Sequence, residues 1–197
     1  MKSVEKVLEN QKSIAAIIPY YKRDLGNVTK LLLEDGQEVH CPQSINSTLR
    51  SICNYYTLHL KLLRRKQQGL LNCKYYTPLP LHKNLLLFPI KTRVPKIKND
   101  SSLAYINFYQ VKKMDYPKSS IELNSGQTLH SLNSPSTLKK RYQQVLLSAK
   151  FHEDNLSSDP HLKENKVEYL YPLTRRDMEP IVKELEHIRG LLSSIFY

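Results

Sequence analysis

A chain of 197 residues, 40% of them hydrophobic, is long enough to enclose one core, and five glycines are too few for a glycine-built phosphate loop or a loop-rich barrel. Thirty Lys and Arg against 18 Asp and Glu give a net charge of +12, a balance that attracts polyanions. Cys41, Cys53 and Cys73 are odd in number and widely spaced, which fits reduced thiols in a cytoplasm better than a disulfide framework.

Glu5 and Glu9 interrupt what would have to be a signal sequence, and the apolar run 14–18 ends at Pro19, too short to span a bilayer. The expectation is a cytoplasmic protein. Residues 1–12 fit either a strand or a frayed helical turn. Residues 13–21 read as a buried strand, 22–27 with Asp24 and Gly26 as a turn, and 28–33 as a second strand. Asp35-Gly36 is a hairpin signal before the short run 38–41. The opening forty residues are therefore expected to form an antiparallel meander.

Pro42 ends the meander, and Ser44 or Ser47 can cap a helix. Ile45, Leu49, Ile52, Cys53, Tyr56, Leu60 and Leu63 recur at helical spacing, with Arg50, Asn54, Lys61 and Arg65 on the opposite face. This is one long helix or two short ones broken near Thr57, with Gly69 as the natural stop. Leu85-Leu86-Leu87-Phe88, closed by Pro89, is expected to be a central strand. Residues 91–102, rich in Lys, Arg, Pro and Asn, read as a long loop.

Alternation over 103–111 predicts one strand with two partly apolar faces, and 121–132 predicts a hairpin around a two-residue turn at Ser125-Gly126. Ser134 and Pro135 start a helix whose apolar stripe is Leu138, Tyr142, Val145, Leu146 and Ala149, with Lys139, Lys140 and Arg141 near its start. An anion docked at that end or a solvated cluster suits those cations equally. Residues 152–165 read as a polar linker, Tyr169 to Pro172 as a short anchor, and the chain from Arg176 or Asp177 to Ile195 as a closing helix. The fold class expected is α+β: an antiparallel sheet with a long basic helical segment, a second hairpin-plus-helix and a C-terminal helix. Two parts are expected, one domain over 1–154 and a linker with a C-terminal helix, a partner or regulatory appendage, over 155–197.

The charge is not spread evenly. Residues 39–99 contain no Asp or Glu, yet hold Arg50, Lys61, Arg64, Arg65, Lys66, Lys74, Lys83, Lys91, Arg93, Lys96 and Lys98. The remaining two thirds carry 19 basic and 18 acidic residues, so nearly all the excess lies in this stretch. Such clustering is the usual footprint of a nucleic-acid surface, with a solvated face as the plainer alternative. Tyr55-Tyr56 and Tyr75-Tyr76 interleave with these cations; stacking on unpaired bases is one role for them, and core or sheet-edge packing of most of them is the preferred one.

Nothing points to catalysis. Adjacent acids occur only at Glu34-Asp35 and Glu153-Asp154, both in turns or linkers, and the histidines show no ligand spacing. His40, Cys41, Cys53, His59 and Cys73 match no standard zinc module, and Cys53 on the apolar stripe is better read as a small core residue. No enzyme activity, metal or cofactor is expected.

Leu49-Arg50-Ser51-Ile52-Cys53-Asn54-Tyr55-Tyr56, the basic segment 61–66, Tyr76-Thr77-Pro78-Leu79 and Leu85-Leu86-Leu87-Phe88-Pro89 follow one another in an order that resembles the ComK family of competence transcription factors. Downstream, Asn124-Ser125-Gly126-Gln127-Thr128 and the segment from Tyr142 to Ala149-Lys150-Phe151 extend the likeness over roughly residues 13–154. The chain departs from the family by one extra residue in Arg50-Ser51-Ile52-Cys53, by Leu63-Arg64-Arg65-Lys66 in place of a glycine-flanked basic motif, and by having no tryptophan. It resembles a divergent member.

The resemblance implies an activator of DNA-uptake genes that binds A/T-rich duplex DNA from the minor groove as a dimer or tetramer. It also implies contact with RNA polymerase, association with the nucleoid, and control by an adaptor–protease system of the MecA and ClpC type. The expected DNA-binding residues are the eleven cations named above. Lys61, Lys66, Lys74, Lys83 and Lys91 are expected to take phosphates, and Arg64, Arg65 or Arg93 to enter the minor groove. Two alternatives remain: an RNA- or single-strand-binding protein, and a regulator that only binds a protein partner.

Overall fold

The structure is a computed structural model that describes residues 4–9 and 13–156. The chain divides after Leu156; the expected anchor and closing helix lie outside the described residues. The order of elements is α1 (Val4–Glu9), β1 (Ile14–Lys22), β2 (Gly26–Leu33), β3 (Glu38–Cys41), α2 (Ile45–Tyr55), α3 (Leu60–Leu70), β4 (Leu79–His82), β5 (Leu85–Lys91), β6 (Leu103–Asn107), β7 (Val111–Asp115), β8 (Ser120–Leu123), β9 (Thr128–His130) and α4 (Pro135–Leu156). This is an α+β fold with a six-stranded antiparallel sheet, β3-β2-β1-β6-β5-β4, and a three-stranded one, β7-β8-β9.

The strands of the large sheet are apolar on both faces because both faces are covered. Ile14, Ile17, Leu31, Leu33, Leu85, Leu87 and Tyr105 pack in one cluster with side chains of α1, α2 and α3. Their alternates Leu32, Leu86, Phe88, Ala104 and Ile106 pack in a second cluster with Ile121 and Leu123 of the small sheet and Leu138, Val145 and Ala149 of α4. A period of two with no polar face therefore reads as a run such as Leu85 to Phe88, common in parallel sheets but here produced in an antiparallel one by double coverage.

Three prolines sit inside strands of this sheet, and each stands where its strand is paired on one side only. Pro80 is on the edge strand β4. Pro19 lies beyond the two residues of β1, Ala16 and Ile17, that pair with β6. Pro89 pairs with Tyr105 of β6 but lies beyond Leu87, the last β5 residue that β4 reaches. A missing N–H costs the ladder least at such places. Pro89 thus does not close the strand as expected; β5 continues to Lys91, one strand in from the edge rather than at the centre.

Other expectations are corrected by tertiary contacts. Of the two readings for residues 1–12, the helical one is found over Val4–Glu9, α1, with Val4, Val7 and Leu8 buried. The alternating segment 103–111 is two strands, broken at Asn107, whose buried side chain accepts from Tyr109 N–H and caps a 3-10 turn over Phe108–Gln110. The chain there passes from the large sheet to the small one. The β8–β9 hairpin has a three-residue loop, not a two-residue turn: Leu123 N–H donates to Gln127 C=O (2.9 Å), Glu122 faces Thr128, and Gly126 has φ +83°. The β2–β3 hairpin repeats this geometry with Gly36 at φ +81°, the arrangement of a type I turn closed by a left-handed residue. On α4, Leu146 is exposed rather than part of the apolar stripe. That helix also runs through the first residues of the expected linker to Leu156.

Gly69 is not a stop. It lies within the last turn of α3, with helical φ and open space where a Cβ would go, and the left-handed residue after the helix is Asn72 at φ 43°. Gly69→Ala is expected to raise stability by about 0.5–1 kcal/mol, because only the unfolded chain loses freedom. Gly126→Ala, also into open space but at positive φ, is expected to lower it by about 1 kcal/mol. Urea midpoints moving in opposite directions at constant slope are the check; shifts of the same sign would refute the backbone argument.

Candidate nucleic-acid interface

The outward surface of α2 and α3 is set up by local signals. Ser44 caps α2, its Oγ accepting from Ser47 N–H (3.4 Å), and Thr29 Oγ1 donates to Gln43 C=O (2.8 Å), tying the helix entry to β2. The helices are two, not one. Leu58 N–H donates to Cys53 C=O (2.8 Å), and Thr57 takes φ 56°, the left-handed region usually given to glycine at a helix end. Leu58, Leu60 and Leu63 then turn back onto the core cluster that holds Leu49, Ile52 and Cys53.

The bend creates a groove of about 760 Å³ on the solvent side, lined by Arg50 and Asn54 of α2, His59 from the turn, and Lys61, Arg64, Arg65 and Gln68 of α3. Four cations thus converge with amide and imidazole groups, and no carboxylate lines the groove. Among the described residues the ion pairs are Lys30–Glu38 (2.9 Å) and Lys112–Glu122 (2.6 Å), both elsewhere. Arg64 is also tethered to the core: its Nη2 donates to the hydroxyl of buried Tyr105 (3.1 Å). Burial pushes the Tyr105 hydroxyl toward staying protonated, with the Arg64 guanidinium opposing in part, so the oxygen accepts without becoming a counter-ion.

The other seven cations do not join this groove. Lys66 is exposed on α3, and Lys74 lies 5.5 Å from the Tyr75 ring. Lys83 is in the β4–β5 turn and lines a cavity of about 540 Å³ with Tyr55, Tyr56 and His82. Lys91 ends β5 and lines a smaller cavity of about 240 Å³ with Tyr76 and Arg141. The length of β5, about 20 Å at 3.3 Å per residue, separates Lys83 from the loop that carries Arg93, Lys96 and Lys98. Arg93 is not free to reach outward: Nε donates to Ser101 C=O (2.8 Å), Nη2 to Asn27 Oδ1 (2.6 Å), and the guanidinium lies 4.2 Å over the Tyr21 ring. Its place in the sequence gave no sign of Tyr21 and Asn27, some 70 residues earlier.

Three of the four tyrosines expected to be mostly core or edge residues are instead exposed: Tyr55, Tyr75 and Tyr76. Only Tyr56 packs as expected, stacked on His82 with ring centroids 5.2 Å apart. Arg141, outside the acid-free stretch, covers the Tyr76 ring at 4.5 Å, and burial pulls its pKa down. The polar residues His59 and Gln68 had no sequence signal as groove residues, since their position depends on the bend at Thr57.

Cys41 and Cys53 lie in the core, where burial pushes both thiols up to about 11. Among the described residues, no three His, Cys, Asp or Glu side chains come together in a metal-binding group, and no helix is long and apolar enough to cross a membrane. No family model, curated protein or solved structure matches the chain.

Proposed function

We propose that the chain is a DNA-binding transcriptional activator of the kind it resembles, a ComK-like regulator of DNA-uptake genes, and that it grips A/T-rich duplex DNA with the α2–α3 groove. The observation that carries this reading is the convergence of Arg50, Lys61, Arg64 and Arg65 on one concave surface without a carboxylate. Cations held at fixed spacing neutralise phosphates and release counter-ions, which gives affinity that falls steeply with salt. Arg64, oriented by Tyr105, and its neighbour Arg65 are the groups best placed to enter a narrow A·T minor groove, where the negative potential is greatest.

A salt series on A/T-rich and G/C-rich duplexes tests it. Four cations that each displace about one counter-ion from the duplex correspond to a log–log slope of about −3.6 at −0.9 each. Arg64→Ala with Arg65→Ala is expected to weaken binding by about 1–3 kcal/mol and flatten the slope by about 2. Unchanged affinity at fixed salt would remove both residues from the interface.

The exposed Tyr55, Tyr75 and Tyr76 favour a second reading, in which bases of a single strand stack on them. Competition by single-stranded RNA against duplex DNA separates the two: RNA that displaces the duplex at equal concentration supports the second.

A further inference from the structure

The loop between β5 and β6 is braced at its base and apolar at its tip. At the base, Thr92 N–H donates to Ser102 C=O (3.0 Å), closing the loop where the strands diverge. Asp100 accepts from Tyr21 Oη–H (2.7 Å) and Asn27 Nδ2 (2.8 Å), and Arg93 bonds Asn27 and Ser101 while covering the Tyr21 ring. Tyr21 Oη also accepts from Lys96 N–H (2.8 Å), and Asp100 N–H reaches Ile97 C=O (3.2 Å) through Asn99 at φ 76°. Two side chains of the β1–β2 hairpin therefore fix both arms of the loop.

At the tip the sequence is Val94-Pro95-Lys96-Ile97-Lys98. Val94 is 72% and Ile97 64% exposed, the highest values for large hydrophobic side chains among the described residues. Lys96 and Lys98 flank Ile97, and neither pairs with a carboxylate among the described residues.

We propose that residues 94–98 are a wedge for the minor groove of duplex DNA, with Ile97 and Val94 entering between base steps and Lys96 and Lys98 holding the flanking phosphates. This rests on the DNA-binding reading and adds to it a second contact and a deformation of the duplex. An inserted aliphatic side chain needs no polar partner, must resist the restoring force of the base stack, and gains from cations beside it. The braced base supplies the resistance and the lysines supply the cations. A protein partner is the poorer match, because two aliphatic side chains separated by a proline and a lysine, with a second lysine after them, do not make the contiguous apolar patch of a protein interface. The loop springs from β6 at Leu103, two residues or about 7 Å along the strand from Tyr105, which holds Arg64 of the groove.

The test uses the full chain and A/T-rich duplexes with 2-aminopurine placed at successive positions, with binding followed separately by anisotropy. The wild type is expected to raise fluorescence at one or two adjacent steps. Val94→Ala with Ile97→Ala is expected to lose that rise while still binding, with the salt slope kept, and Ile97→Met is expected to retain it. The exposure of both side chains makes loss of folding an unsuitable explanation, and circular dichroism checks it. Duplex binding with no unstacking at any position, or a rise unchanged in the double variant, overturns the wedge alone. Absence of duplex binding by the wild type overturns the wedge together with the reading it rests on.

Discussion

Asn107→Leu is expected to lower the unfolding free energy by about 3–5 kcal/mol, enough to unfold much of the population in a domain of ordinary stability. The Asn107 side chain is fully buried and joins four backbone groups from three parts of the chain. Its Oδ1 accepts from Leu86 N–H and Tyr109 N–H (3.3 Å each), and its Nδ2 donates to Ile14 C=O (2.9 Å) and Asn84 C=O (3.0 Å). Leucine matches the volume, so the loss is one of hydrogen bonding rather than packing. Each buried donor or acceptor left bare costs about 1–3 kcal/mol, with the groups near exposed Asn84 at the low end because water reaches them. Asn107→Asp is expected to do little better, since a carboxylate cannot donate to the Ile14 and Asn84 carbonyls. Urea unfolding with an unchanged slope measures both variants. A change below about 1 kcal/mol for the leucine variant would show that the junction between the two sheets is held by something else.

The second large effect falls on binding. Lys61→Glu with Arg65→Glu is expected to reduce affinity for an A/T-rich duplex about 10³-fold at physiological salt, roughly 4 kcal/mol. One phosphate contact (Lys61) and one minor-groove contact (Arg65) are lost, and each new carboxylate repels the backbone it faces. Both side chains are exposed and neither is bonded to the core, so stability should change by no more than about 0.5 kcal/mol. Lys139→Glu with Lys140→Glu on α4 alters net charge equally at exposed sites outside the groove. If that control weakened binding as much as the groove variant, affinity would follow overall charge and not the α2–α3 surface.

Much of the fold was legible because the relevant signals are local. The meander over β1–β3 follows from two short apolar runs and from Asp35-Gly36, and the start of α2 from Ser44, features that act within a few residues. The break between α2 and α3 was legible only as an open choice, since Thr57 is a poor helix residue but no glycine marks the turn. What misled were features whose meaning depends on remote neighbours. Pro89 looked like a terminator because the sequence does not reveal that β4 pairs with β5 only as far as Leu87. The run 103–111 looked like one strand because the alternation survives the turn that Asn107 imposes.

The candidate site divides in the same way. The amino-acid sequence by itself determined that nearly all the excess positive charge lies in residues 39–99 and that apolar stripes at helical spacing leave Arg50, Lys61 and Arg65 on the outer face, because charge and periodicity are properties of composition and order. Only the tertiary structure decided which cations share a surface. The bend at Thr57 brings Arg50 toward α3, the hydroxyl of buried Tyr105 holds one end of Arg64, which also lines the groove, and Tyr21 and Asn27 tie Arg93 down. Those contacts span 41, 72 and 66 residues of chain, distances over which neither alternation nor helical period carries information.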